Sequence, residues 1–112
     1  MINQKEAIKA ITEFKEFDSG NLQGHILYDL RELINLPRGK ESDLYQSMQD
    51  DLNDDFLGFK VNAIYVVTSY GVPVAYSTGT AFQMTNLKWS VTTSRHTRIA
   101  HCGLSNSVQK EI

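Results

Sequence analysis

The chain has 112 residues, of which 41% are hydrophobic and 21% charged, with a formal net charge of -2 and one cysteine. This length is sufficient for one modest hydrophobic core and excludes a multidomain protein. One cysteine excludes an internal disulfide, and no Cys/His set has zinc-finger spacing, so we expect a cytoplasmic protein without a structural metal. Neither a signal peptide nor a run of about 20 apolar residues is present, which predicts a soluble protein that does not enter a membrane.

The small net charge conceals an uneven distribution along the chain. Residues 1–59 carry six basic and twelve acidic side chains, a balance of -6, whereas residues 60–112 carry five basic side chains against Glu111, a balance of +4. Such asymmetry fits a basic face for a polyanion, an acidic face for a basic partner, or two segments that neutralise each other where they pack. The charge pattern alone leaves all three open.

Apolar residues at helical spacing predict three helices in the first half. Their expected bounds are residues 3–17, about 26–36 with an extended start as the alternative, and 43–56. Asn3 and Glu6 resemble a capping box at the start of the first helix. Turn formers at residues 18–21, with Gly24 soon after, should break the chain, and residues 37–39 should end the second helix.

From residue 63 onward the apolar period becomes two, which is typical of strands. We expect a strand at 63–69, a turn at 70–73, a returning strand at 74–77, and two more at 80–84 and 87–92. A short helix should follow, with Thr93 or Ser94 as its N-cap and Gly103 at its end. The prediction is one α+β domain over residues 1–112, in which N-terminal helices pack on an antiparallel meander of three or four strands. It divides into an acidic helical half (1–59), a basic strand-rich half (60–104) and a frayed tail (105–112).

The densest cluster of polar functional groups lies at the predicted start of the C-terminal helix. Free backbone N–H groups at a helix N-terminus, hydroxyls and guanidinium groups together favour an anion such as a nucleic-acid phosphate. The predicted contact residues are Thr92, Thr93, Ser94, Arg95, His96 and Arg98. The alternative is structural: the hydroxyls cap the helix, and the arginines pair with the acidic third helix.

Two further groups of side chains could contribute to binding. Aromatic side chains on a sheet can stack on single-stranded bases, although many aromatic rings simply pack in a core. The candidate stacking residues are Tyr70, Tyr76 and Trp89. The candidate acidic interaction face, which could equally be a solvated helix surface, consists of Asp43, Asp50, Asp51, Asp54 and Asp55.

Catalytic and metal-binding patterns are weak. His101 and Cys102 are adjacent, so on a helix they point about 100° apart, and His96 and His101 are five residues apart rather than four. We therefore predict no catalytic residues, no metal ligands and no cofactor. An enzyme built on His96 or Cys102 would require a carboxylate or a second histidine within hydrogen-bond reach of His96.

Two segments of this sequence, 64–76 (IYVVTSYGVPVAY) and 88–96 (KWSVTTSRH), resemble a family of small uncharacterised proteins found in phages, plasmids and bacterial genomes. Similar members pair a YVVxSYxTPIAW hairpin with a YSVTTSRHQ segment and often carry a Gly-Asn-Leu-x-Gly stretch, which residues 20–24 match. The resemblance covers about residues 17–104. Val72, Tyr76 and Thr97 depart from it. It implies a mobile-element setting and no particular reaction.

The leading interpretation is a non-enzymatic binding domain of a phage or mobile element that engages nucleic-acid phosphates through residues 92–98. The alternative is a protein-binding inhibitor of a host defence or nucleic-acid enzyme, in which the acidic helix imitates a phosphate array. The expected partner is accordingly nucleic acid or a nucleic-acid-handling protein. A homodimer through an uncovered sheet edge is also compatible with the pattern.

Overall fold

The computed structural model describes residues 3–53, 55–56, 59–60, 63–79, 81–86 and 91–109. The helices and strands, in chain order, are α1 (Gln4–Thr12), β1 (Phe17–Ser19), β2 (Leu22–Leu27), α2 (Leu30–Ile34), a 3-10 turn (Gly39–Glu41), α3 (Tyr45–Asn53), β3 (Asp55–Phe56), β4 (Phe59–Lys60), β5 (Ile64–Ser69), β6 (Val72–Ser77), β7 (Phe82–Met84) and α4 (Val91–Gln109). The predicted α+β class is confirmed.

The main sheet has five antiparallel strands in the order β1-β2-β5-β6-β7. It is a meander in chain order, interrupted between β2 and β5 by the segment that contains α2 and α3. β3 and β4 form a separate two-stranded ladder. The sheet is larger than the sequence predicts because residues 17–27, expected to be the end of a helix, a turn and the start of another helix, supply its first two strands.

Helices cover both faces of the main sheet. α1 and α4 pack on the face that carries Tyr65 and Val67, whereas α2 and α3 pack on the face that carries Ile64 and Val66. Every residue of β5 and β6 is therefore buried. We name the two coverings the α1/α4 layer and the α2/α3 layer; the sequence predicted helices without indicating that they divide between two faces.

The second predicted helix begins later than residue 26, and the extended start that the sequence left open is the one observed. Residues 22–27 form β2, and α2 begins only after Asp29, whose extended backbone and side chain complete a capping box with Glu32. The helical spacing arose because Leu27, in β2, and Leu33, in α2, face the same core beneath α3. A strand and a short helix that share one core thus imitated a single amphipathic helix.

The start of the C-terminal helix also differs from the prediction. Thr92 belongs to α4 rather than to a strand, and Thr93 and Ser94 lie inside the helix rather than at its N-cap. Residues 87–90 of the fourth predicted strand lie outside the described residues, as do Thr80 and the two chain ends.

Gly103 lies within α4 and not at its end, because α4 continues to Gln109. It is buried where α4 crosses α1: a Cβ at this position would approach the Ile11 side chain to 2.5 Å. The Thr12 hydroxyl donates to the Gly103 carbonyl oxygen across the same crossing, at 3.2 Å. The glycine is thus used for close helix packing rather than for termination.

Candidate nucleic-acid interface

The first two turns of α4 carry all six residues of the predicted anion site. Arg95 and Arg98 are exposed, and Thr92, Ser94 and His96 are half-buried. Thr93 is different: only 3% of it is exposed, so it packs beneath the helix and is not a ligand contact. Of the predicted anion-binding groups, two guanidinium groups and two hydroxyls are therefore accessible to a ligand.

Within the part of the chain that the structure describes, neither arginine forms an ion pair with a carboxylate. Among the described residues, the ion pairs join Lys15 to Glu13, Arg31 to Asp29, and Arg38 to Glu41, and none includes Arg95 or Arg98. The acidic α3 lies in the α2/α3 layer, on the opposite face of the sheet from α4. The structural alternative, in which these arginines pair with the acidic third helix, thus finds no ion pair among the described residues, while Asp54 and the side chain of Asp55 lie outside them.

The sheet separates charge of opposite sign. In the α1/α4 layer, α1 and α4 together carry Lys5, Lys9, Arg95 and Arg98 against the single carboxylate of Glu6. Both lysines are exposed. Across the sheet, α3 carries two aspartates and no basic residue. The charge asymmetry of the sequence thus becomes an asymmetry between two faces, with α1 from the acidic half placed on the basic face.

His96 connects α4 to the end of β5. Its Nδ1 is hydrogen-bonded to the Ser69 hydroxyl at 2.6 Å, and Ser69 is buried. Burial lowers the pKa of His96 below its ordinary value of 6.5, and the charge of Arg95 lowers it further. The imidazole is therefore neutral at pH 7 and serves to fix α4 against the sheet.

A second histidine is bonded to the neighbouring residue of the same strand. The Nε2 atom of His25, in β2, lies 3.4 Å from the Thr68 hydroxyl on the α2/α3 side of the sheet. Burial lowers the pKa of His25, against the opposing influence of the Glu16 and Asp18 carboxylates. On each face of β5, the last side chain thus carries a hydroxyl that is hydrogen-bonded to a half-buried, neutral imidazole.

We expect the two histidines to make stability depend on pH. Their folded pKa values lie below 6.5, so the unfolded chain binds more protons; the stabilisation is complete above pH 6.5 and is lost as the pH falls through the folded pKa values. Urea unfolding of wild type at several pH values between about 7.5 and 5 should show the free energy of unfolding decreasing with acidification. The His25→Gln/His96→Gln variant should show a smaller decrease; an unchanged pH dependence would contradict this role for the histidines.

Tyr70 lies at the tip of the β5–β6 hairpin, beside His96. Its ring centroid is 6.0 Å from that of His96, the two planes are tilted by 35°, and 43% of Tyr70 is exposed. Arg38, which lies between α2 and the 3-10 turn, donates from Nη1 to the Tyr70 carbonyl oxygen at 3.3 Å. The Arg38 guanidinium also forms an ion pair with Glu41. At this hairpin tip, three separate segments of the chain therefore bring together the exposed Tyr70 ring, the His96 imidazole and the Arg38 guanidinium group.

The prediction that Tyr76 stacks on bases is wrong. This residue is only 1% exposed, and its hydroxyl donates to the Asp51 carboxylate at 2.6 Å. Burial, reinforced by that carboxylate, raises the pKa of Tyr76. Trp89 lies outside the described residues, so Tyr70 is the described candidate for stacking.

Two aspartates of the predicted acidic face are hydrogen-bonded within the protein. The Asp43 carboxylate accepts hydrogen bonds from the Thr85 hydroxyl and from the backbone N–H of Asn86, the latter at 2.8 Å. Asp51 accepts the bond from Tyr76, whereas Asp50 remains exposed. Asp54 and the side chain of Asp55 lie outside the described residues. Two of the five aspartates therefore attach helical segments to the sheet instead of facing a partner.

An enzyme built on His96 would need a carboxylate or a second histidine within hydrogen-bond reach of this side chain. Within the described part of the chain, its side-chain hydrogen-bond partner is Ser69, and no carboxylate lies within hydrogen-bond reach. Cys102 is exposed, and His101 packs edge-on against the Phe82 ring. No group of three or more His, Cys, Asp or Glu side chains that could hold a metal ion is found among the residues described.

Sequence reasoning missed Ser69, Arg38 and the two lysines of α1. Ser69 and Tyr70 precede Gly71 in the hairpin segment that carries the family resemblance, while His96 ends the second such segment. The structure brings these two segments together through the Ser69–His96 bond. Lys5 and Lys9, four residues apart on α1, could have been found from their common helical face.

Residues 3–111 match the family of unknown function DUF8033, so the chain belongs to that family. The family description names no reaction. No curated protein and no solved structure matches the chain. Across the described residues, none of the helices combines the length and the apolar character needed to cross a membrane.

Proposed function

We propose that this protein is a non-enzymatic nucleic-acid-binding domain that grips the phosphate backbone with the α1/α4 layer. The observation that carries the proposal is that Arg95 and Arg98 are exposed on one helix, unpaired among the described residues, with the acidic α3 behind the sheet. Guanidinium groups bind phosphate through paired, charge-assisted hydrogen bonds. An overall charge of -2 does not oppose this, because binding depends on the local field of the surface.

The side chains near the two arginines support the same chemistry. Thr92 and Ser94 are half-exposed in the first turn of α4, where backbone N–H groups without helical partners favour negative charge. Lys5 and Lys9, which are exposed on α1, add two positive charges to the α1/α4 layer. The resemblance to phage and plasmid proteins favours a mobile-element setting in the bacterial cytoplasm, where nucleic acid is the abundant polyanion.

The alternative function, an inhibitor that presents an acidic helix to a basic cleft, has less support. Asp43 and Asp51 are committed to hydrogen bonds with the sheet and the end of β7. Asp43 and Asp50 are both exposed, but of the described aspartate side chains on the proposed acidic face only Asp50 is not bonded to the sheet or to the end of β7; it accepts a hydrogen bond from Gln46 at 2.9 Å. One uncommitted carboxylate among the described side chains does not imitate the regular charge spacing of a nucleic-acid backbone.

Replacing both arginines by glutamine should weaken binding about 10- to 100-fold, because an exposed, solvent-screened contact between a guanidinium group and a phosphate contributes about 1 kcal/mol and two such contacts are lost. The measurement is fluorescence anisotropy with labelled single-stranded and duplex oligonucleotides at about 50 mM salt. Arg31→Gln is the matched control, since Arg31 is an arginine of the α2/α3 layer whose side chain is 89% exposed.

Two outcomes would contradict the proposal. Wild type that binds neither oligonucleotide at low salt would remove nucleic acid as the ligand. Equal weakening by Arg31→Gln and by Arg95→Gln/Arg98→Gln would show that general charge, and not the α1/α4 layer, governs binding.

A further inference from the structure

The backbone of the β5–β6 turn holds Tyr70 in a conformation that tyrosine rarely adopts. The turn has two central residues, Tyr70 with φ 54° and Gly71 with φ 81°. Two positive φ values are typical of a type I′ turn, in which asparagine, aspartate or glycine is favoured at the first position. A bulky residue there is strained, and strained residues cluster at functional sites.

The surrounding structure fixes this turn firmly. The Tyr70 backbone N–H donates to the Asn21 carbonyl oxygen, in the neighbouring β1–β2 turn, at 2.8 Å. Arg38 donates to the Tyr70 carbonyl oxygen, and its side-chain carbons lie beside Gly71. The position of the Tyr70 backbone is thus determined by three segments, and the ring is presented at the edge of the molecule.

The ring is also supported from one side. His96 lies against it, and His96 is in turn fixed by its 2.6 Å bond to the buried Ser69. Tyr70 is accessible to a ligand, since 43% of the residue is exposed. An aromatic ring that is supported by a neighbouring ring and still exposed can act as a stacking platform for a flat ligand.

We infer that Tyr70 stacks on an unpaired base, so that the ligand of the α1/α4 layer is single-stranded nucleic acid; this inference rests on the function proposed above. The charge of Arg95 acts on His96, and Arg98 lies about one turn further along α4, so a strand whose base lies on Tyr70 and whose backbone continues along α4 can place its phosphates near these arginines. Duplex bases are stacked on one another and offer no free face to such a ring, whereas unpaired bases do. Tyr70 thus contributes selectivity, and the arginines contribute the attraction shared by both kinds of strand.

The test uses Tyr70→Asn, a variant in which the new residue suits the turn. Asparagine tolerates positive φ, so the variant should fold at least as stably as wild type while it lacks the ring. Its affinity for a labelled oligothymidylate of about 16 nucleotides should fall about tenfold, with affinity for a duplex of the same length unchanged. Tyr70→Phe should bind like wild type. Tyr28→Asn is the control, because Tyr28 is 63% exposed and follows the opposite end of β2.

The outcomes separate this inference from the proposed function. If Tyr70→Asn binds oligothymidylate like wild type while Arg95→Gln/Arg98→Gln weakens both ligands, stacking is disproved and phosphate binding stands. If Tyr28→Asn has the same effect as Tyr70→Asn, the platform is also disproved. If wild type binds no nucleic acid, both proposals fail together.

Discussion

Gly103→Ala should destabilise the protein by about 2–3 kcal/mol, the cost of overpacking a close helix crossing. The added Cβ would lie 2.5 Å from Cβ and Cγ2 of Ile11 and 3.1 Å from the Ile8 carbonyl oxygen. The contacted atoms belong to the backbone and to the β-branched stem of a fully buried side chain, so relief requires α1 to move away from α4. This crossing holds the α1/α4 layer together.

The direction of this effect is diagnostic, because helix propensity alone predicts the reverse. In an exposed helix the same substitution stabilises by about 1 kcal/mol. The measurement is the free energy of unfolding in urea, with Asn106→Ala as the control, since Asn106 is exposed on the same helix and should give a small gain. A Gly103→Ala variant that gains stability as the control does would contradict the observed helix crossing.

Gly24→Ala should have a similar effect, about 2–3 kcal/mol, on the other side of the same core. A Cβ on this residue of β2 would overlap the Tyr65 hydroxyl and lie 2.6 Å from a ring carbon of Phe17. That hydroxyl donates to the Lys15 carbonyl oxygen at 2.7 Å, and Tyr65 is 3% exposed, so a shift of the ring away from the new Cβ would break a buried hydrogen bond. The missing side chain lets Tyr65 and Phe17 close over the strand.

A double-mutant cycle tests this explanation. Tyr65→Phe removes the hydroxyl that the new Cβ would overlap, at a cost of about 1 kcal/mol for the lost hydrogen bond. Gly24→Ala should therefore cost less in the Tyr65→Phe background than in wild type. Strictly additive effects in urea unfolding would show that the overlap with the hydroxyl is not the cause.

These two glycines also show where sequence reasoning reaches its limit. Glycine near residue 24 suggested a break in the chain, and glycine at 103 suggested a helix end, because both roles are common. The structure instead uses each one for close packing inside a regular element. Which role applies depends on a residue distant in sequence, Tyr65 in one case and Ile11 in the other, and no local pattern contains that information.

Prediction was most successful where local chemistry decides the structure. Asn3 caps α1 as expected, with its side chain accepting from the Glu6 backbone N–H, and the hairpin turns at Tyr70 and Gly71. Leu44, Met48 and Leu52, which belong to the helical apolar spacing that predicted the third helix, are buried where α3 packs on the sheet. Alternation could not separate exposed from buried tyrosines, because both faces of β5 and β6 are covered.

The candidate site was partly predictable for the same reason. A basic, hydroxyl-rich segment before a helix is visible in the sequence, and it pointed to Arg95 and Arg98. The partner of His96 was not visible, since Ser69 is 27 residues away. The placement of the acidic α3 on the opposite face of the sheet was also not visible in the sequence, because it depends on how the chain crosses from β2 to β5.

The central claim is that Arg95 and Arg98 contact phosphates, and the salt dependence of binding tests it most directly. Each neutralised phosphate on a single strand contributes about 0.7 to the slope of the logarithm of the association constant against the logarithm of salt concentration. The Arg95→Gln/Arg98→Gln variant should therefore bind oligothymidylate with a slope shallower than wild type by about 1.4, and Arg31→Gln with the wild-type slope. A double variant that retains the wild-type slope would contradict the claim.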